Sequence, residues 1–120
     1  MSNKTEIPQI LHQIWIQGWD EMPPHYKAYS TEWRKHHPGW EYMFWDELKL
    51  VKLITQHAPQ YLKRFLSYSQ PVLKADFGRV MALCIFGGIY LDTDTQCNGT
   101  FNSRTHFPDP QKVYLSEPSQ

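Results

Sequence analysis

The sequence predicts an α/β fold with a largely parallel sheet and flanking helices. Three observations carry this prediction. Short apolar runs rich in β-branched and aromatic residues alternate with longer runs of helical spacing. Prolines and glycines stand at the joints between them. The resulting order of strand, helix, strand, helix, helix, strand is the one that crossover-linked parallel strands require. No internal repeat or linker divides the chain, so residues 1–120 are read as a single domain.

The first strand begins after Pro8, where Ile10, Ile14 and Ile16 fall on alternate positions, and is expected to run until Gly18. Met22-Pro23-Pro24 opens a helix, because proline is tolerated in the first helical turn. Tyr26, Tyr29 and Trp33 recur in it at three- and four-residue steps, and Pro38-Gly39 ends it. Trp40 to Trp45 is aromatic and strand-forming. Asp46 then serves as N-cap for a helix through Leu48, Val51, Leu53 and Ile54. Pro59 starts a short helix carrying Tyr61, Leu62, Phe65 and Leu66, and a further helix spans Pro71 to Phe86. Its second half is apolar on nearly all sides and is expected to be buried, Cys84 included. Gly87-Gly88 stops it, and Ile89-Tyr90-Leu91 forms a strand that ends in Asp92-Thr93-Asp94. Residues 98–111 are turn-rich, and Lys112 to Leu115 is a last candidate strand that would bring Glu117 towards the aspartates.

Composition narrows the function. With 41% hydrophobic and 15% aromatic residues the chain is expected to be globular. Twelve basic and twelve acidic residues cancel, and no basic stripe stands out, which argues against nucleic acid. Two cysteines make no disulfide framework or zinc pattern, and the six histidines show no metal spacing. His36-His37 is read as the end of a surface helix, and Trp19, Trp40 and Trp45 as core or rim. There is no run of apolar residues long enough to span a membrane and no signal-peptide core. The chain as given is therefore expected in the cytoplasm, or in the Golgi or at a membrane if an anchor belongs to a longer parent. Nucleophile elbows and glycine-rich phosphate loops are missing. Asn3-Lys4-Thr5 and Asn98-Gly99-Thr100 match the glycosylation sequon, with Asn98 awkwardly near the aspartates.

Chemistry concentrates between Gln70 and Cys97. Asp76 and Arg79 are three residues apart on a helix and so on neighbouring positions of one face. They either pair with each other or stand on a pocket wall and grip ligand hydroxyls. Asp92 and Asp94 follow an apolar strand at its carboxyl end, where open α/β sheets bind ligands. On an extended backbone, carboxylates two residues apart point to one side and can share a hard cation such as Mn²⁺ or Mg²⁺. A strand-end aspartate is equally an ordinary turn residue.

Taken together, Lys74-Ala75-Asp76-Phe77-Gly78-Arg79 and Phe86-Gly87-Gly88-Ile89-Tyr90-Leu91-Asp92-Thr93-Asp94 resemble the conserved block of glycosyltransferases of the DXD sugar-binding group. This family-32-like group includes the yeast-type initiating mannosyltransferases and, distantly, the clostridial glucosylating toxins. The run Ile7 to Ile16 looks like the opening strand of the same group, and Trp33 also fits, so that the resemblance covers residues 7 to 97. It implies a GT-A-like, Rossmann-type fold, incomplete beyond the two aspartates, that binds a nucleotide-sugar donor, a UDP- or GDP-hexose. In that resemblance Trp15 stacks on the base, Asp76 and Arg79 bind donor-sugar hydroxyls, and Tyr90 helps form the nucleotide pocket. Asp92 contacts the sugar or ribose and reaches the metal through water, while Asp94 ligates the Mn²⁺ or Mg²⁺ directly. Both aspartates are then catalytic, and the transfer is of the retaining type, to a glycan, lipid or protein acceptor. The alternative is a module or truncated remnant that binds the nucleotide-sugar without transferring it.

Overall fold

A computed structural model of the protein describes residues 7–97 and the strand residues 113–116. Four strands form one sheet in the order β2-β1-β3-β4, with β1 at Ile10–Ile14, β2 at Glu41–Trp45, β3 at Gly88–Leu91 and β4 at Val113–Ser116. The first three are parallel, with Leu11 opposite both Tyr42 and Ile89, and β4 is antiparallel to β3. The expected α/β class with a mostly parallel sheet is thus the observed one. Four α-helices accompany it among the described residues: α1 (Pro24–Lys35), α2 (Glu47–His57), α3 (Leu62–Ser67) and α4 (Pro71–Phe86). No helix among the described residues is long and apolar enough to cross a membrane.

Alternation along the strands sorts the side chains into two layers. Leu11, Ile89 and Leu91 turn towards α1 and meet Trp33. Ile14, Ile16, Trp45 and Tyr90 turn the other way and join Leu50, Leu53, Ile54, Phe65, Ala82 and Leu83 of α2, α3 and α4 in the main core. From β1 the chain crosses by α1 to β2 on one side, then returns by α2, α3 and α4 on the opposite face to β3 on the other side of β1. The carboxyl ends of β1 and β3 therefore flank a topological switch point, where connections leave in opposite directions and open a crevice.

Local signals explain most boundaries. The Asp46 carboxylate accepts a 2.9 Å bond from the Lys49 amide and caps α2 as expected. Gly87 ends α4 at φ 71°, and Gly88 follows at φ 103°. A Cβ on Gly88 would lie 2.6 Å from the Ile10 carbonyl oxygen, so only glycine lets β3 begin beside β1. Gly78 plays a packing role: a Cβ there would meet Leu50 at 2.6 Å, and Ile14 also lies close, so α4 rides tightly over α2 and β1.

Three expectations change. The first strand stops at Ile14, because Gly18 donates back to the Trp15 carbonyl at 2.9 Å and closes a turn, after which Trp19–Glu21 forms a short 3₁₀ turn. The second half of α4 is not buried all round: Val80 and Cys84 continue an exposed stripe from Val72 and Asp76 at four-residue spacing, so Cys84 is exposed rather than a core residue. One layer of core covers only one side of a helix, however apolar the other side is. His37 is buried instead of ending a surface helix, since α1 stops at Lys35 and the ring folds back to donate to the Trp33 carbonyl at 2.7 Å. That burial holds its pKa below the ordinary histidine value. Residues 98–111, Glu117 and both sequon asparagines lie outside the described residues.

Candidate functional site

The crevice at the switch point is a cleft of about 390 Å³. Trp15 and Gln17, just past the end of β1, form one side, and Tyr26 of α1 stands beside Trp15 with ring centroids 5.9 Å apart, edge to face. Pro71, Val72 and Ala75 from the first turns of α4 form the apolar wall, and Tyr90, Asp92, Thr93 and Asp94 complete it from β3. A second hollow of about 410 Å³ runs along the outer edge of β2 between Met43, Phe44, Lys49 and Lys52, and shares no lining residue with the cleft.

Trp15, Tyr90, Asp92 and Asp94 thus meet in one place. Asp76 directly follows the wall residue Ala75 and Arg79 lies about one helical turn further along α4, but neither is among the residues that line the cleft. They approach each other at 3.8 Å, with Asp76 the more exposed partner. The aspartates reach the cleft by a different route from an extended strand. Asp92 to Thr95 closes a turn, in which the Thr95 amide donates to the Asp92 carbonyl at 3.0 Å. Thr93 and Thr95 face inwards and are buried, while Asp92 and Asp94 are half-buried at the cleft wall.

This turn is anchored to the layer beneath it. Gln13 is fully buried on β1. Its carbonyl oxygen accepts from the Ser30 hydroxyl at 2.6 Å and the Tyr42 hydroxyl at 2.9 Å, and its amide donates to the Asp92 carbonyl at a longer 3.4 Å. The Trp33 indole N–H donates to the Thr95 carbonyl at 2.8 Å, and the Gln96 amide donates to the Tyr29 hydroxyl at 3.0 Å. Burial pushes the Tyr42 hydroxyl up to about 12, which keeps it a donor. On the opposite face the His12 Nε2–H donates to the Gly87 carbonyl at 2.7 Å, and its Nδ1 accepts from the Trp45 indole at 3.1 Å. Desolvation lowers the His12 pKa, so the ring is neutral and its tautomer is set by these two partners. Sequence reasoning missed Gln13, Ser30 and His12. The available signal was two polar residues in succession inside a strand whose neighbours are all apolar, since buried parallel strands are normally continuous hydrophobic runs.

The donor set suits a hard divalent cation. Two carboxylates of one turn open to the same cleft, and among the described residues no histidine, cysteine or further carboxylate joins them in a group of three. A cation bound there would complete its shell with phosphate oxygens and water, the usual arrangement for Mg²⁺ or Mn²⁺ with phosphorylated ligands.

The region that carries the two aspartates is similar in sequence to known proteins. Residues 23–109 match the model of the family described as the glycosyltransferase sugar-binding region containing the DXD motif. The chain is 39% identical over 92 residues to an uncharacterised glycosyltransferase of Acanthamoeba polyphaga mimivirus, covering 76% of this chain and 37% of the relative. It is 33% identical over 107 residues to inositol phosphoceramide mannosyltransferase 3 of Schizosaccharomyces pombe, covering 89% and 30%. It is 31% identical over 94 residues to the initiation-specific alpha-1,6-mannosyltransferase of Candida albicans, covering 74% and 24%. The chain therefore spans only about a quarter to a third of the length of such relatives. No solved structure matches it. With the two aspartates inside the matched region and at the mouth of the switch-point cleft, the chain belongs to the glycosyltransferase family defined by a sugar-binding region with a DXD motif.

Proposed function

We propose that the chain forms the donor-binding part of a metal-dependent, retaining glycosyltransferase that takes a hexose from a nucleoside diphosphate sugar. The observation that carries this reading is the single cleft that gathers Trp15, Tyr90, Asp92 and Asp94 at the carboxyl ends of β1 and β3. A flat indole suits a nucleobase, and the two carboxylates suit a cation on the diphosphate. Asp94 is the direct ligand, and Asp92 contacts the sugar or ribose and supports the cation through water. When bound, Mn²⁺ or Mg²⁺ neutralises the charge that develops on the departing diphosphate. The chain's own contribution is to seat the base against Trp15, to wall the donor from water with Tyr90 and the apolar start of α4, and to hold the carboxylates in place. Asp76 and Arg79 are assigned to the sugar hydroxyls, which requires their exposed pair to open towards the donor. The names of the relatives favour mannose as the hexose; the acceptor is a hydroxyl of a glycan, lipid or protein.

The second reading, a nucleotide-sugar-binding module without transfer, is favoured by the mutual contact of Asp76 and Arg79 away from the cleft wall. Calorimetric titration of UDP and GDP with and without Mn²⁺ tests both. Asp94→Ala is expected to weaken metal-dependent binding at least about a hundredfold, the upper end for loss of support at a metal site. Binding that ignores Mn²⁺ and survives the substitution would sink the proposed site. Hydrolysis of the donor sugar then separates a transferase from a binding module, and the anomeric configuration of the released sugar, read by NMR, tests retention.

A further inference from the structure

Each end of the turn that carries Asp92 and Asp94 is held from the α1 side of the sheet. At the start, the Asp92 carbonyl takes bonds from the Thr95 amide and the Gln13 side chain. At the end, the Thr95 carbonyl takes the Trp33 indole N–H. The Gln13 amide is itself oriented, because Ser30 of α1 and Tyr42 of β2 both donate to its carbonyl oxygen and leave only its NH₂ group to face the turn. Ser30 and Trp33 are three residues apart on α1 and fully buried, so one helix face delivers both contacts.

We propose that Gln13 and Trp33 are positioning residues for the cation-binding turn, with Ser30 and Tyr42 setting the orientation of Gln13. The inference rests on the functional reading above and adds which residues fix the spacing of the two carboxylates. None of the four lines the cleft, so none touches donor or metal. Their effect runs through the backbone: two carbonyls of one turn are pinned to a buried layer, so Asp92 and Asp94 are presented at a fixed separation before any ligand arrives. Groups of this kind behind metal ligands typically contribute about tenfold to a hundredfold in metal affinity.

The test uses the full chain and compares Trp33→Phe, which keeps an aromatic ring and drops the indole N–H, with Tyr42→Phe, which removes one donor to Gln13 without opening a cavity. Trp33→Phe is expected to weaken Mn²⁺-dependent UDP or GDP binding about tenfold, and Tyr42→Phe by a smaller factor. Binding of the metal-free nucleosides uridine and guanosine is expected to stay within about twofold in both, because a packing defect would weaken both kinds of ligand alike. Hydrogen exchange at the Thr95 amide is expected to rise in Trp33→Phe while exchange at the Ile89 amide in β3 stays unchanged. Unchanged Thr95 exchange, or an equal loss of metal-dependent and metal-free binding, overturns the inference. Metal-dependent binding that persists undiminished in both variants also overturns it, while leaving the functional reading intact. A wild-type chain that binds neither nucleotide with Mn²⁺ overturns the functional reading first, and this one with it.

Discussion

The two faces of the sheet do different work. The face covered by α2, α3 and α4 is an apolar core in which Leu50, Ile54 and Phe65 are completely enclosed, and its chief polar member, His12, is satisfied at both ring nitrogens. The face covered by α1 has a small apolar cluster around Trp33, and beside it a chain of buried polar groups from Tyr42 and Ser30 through Gln13 to the turn after β3. Apolar burial is non-directional and stabilises any close packing, whereas hydrogen bonds fix particular atoms at particular distances. The comparison teaches that one layer is built of close apolar packing, while the other ties the turn after β3 to the sheet through directional bonds.

The largest expected effect breaks the first layer. Phe65→Ala is predicted to cost about 3–5 kcal/mol, the usual range for a buried phenylalanine, measured by urea unfolding. It should leave Mn²⁺-dependent nucleotide affinity unchanged in the fraction that remains folded; a similar loss from a polar-layer variant such as Tyr42→Phe would erase the distinction between the faces. Acidification acts on both layers. His12 and His37 have folded pKa values below their unfolded value of 6.5, so the unfolded chain takes up protons first as pH falls. Their contribution is complete above pH 6.5 and declines below it, by up to about 1.4 kcal/mol per pH unit for each proton. A thermal midpoint that holds from pH 7.5 to about pH 6.5 and then falls towards about pH 5 is expected, and a midpoint that rises below pH 6.5 would contradict the buried neutral rings. The smallest effect concerns Thr95, whose hydroxyl is buried without a hydrogen-bond partner. Thr95→Val keeps the shape and removes an unsatisfied group, so stability should rise by up to about 1 kcal/mol. A loss of stability on that substitution would show the hydroxyl to be engaged.

Much of the apolar layer was legible in the sequence, and much of the polar one was not. Periodicity located α1, α2 and α4, Asp46 announced a cap, and Gly87-Gly88 marked where α4 gives way to β3. These are local signals, carried by residues within a few positions of one another. The aspartates were visible as a motif, and the strand before them indicated the end of the sheet on which they would lie. What escaped depends on pairs far apart in the chain: Gln13 with Asp92, and Trp33 with Thr95. A lone buried glutamine has no period and no spacing rule, and its role appears only when the sheet order places β1 between β2 and β3. The apolar character of α4 misled for the opposite reason, since hydrophobicity reports what a residue favours and not whether a neighbour exists to cover Val80 or Cys84.

Gly78 gives the helix wall of the cleft a pivot. It sits against Leu50 and Ile14, one turn after Ala75, and a side chain there would require either the tips of Leu50 and Ile14 or the helix itself to shift. Because a helix moves as a stiff body, a displacement at that point would be transmitted along the axis to Val72 and Pro71 and would widen the mouth between them and Trp15. The aperture of the cleft is thereby gauged by a missing methyl group that lies outside its lining.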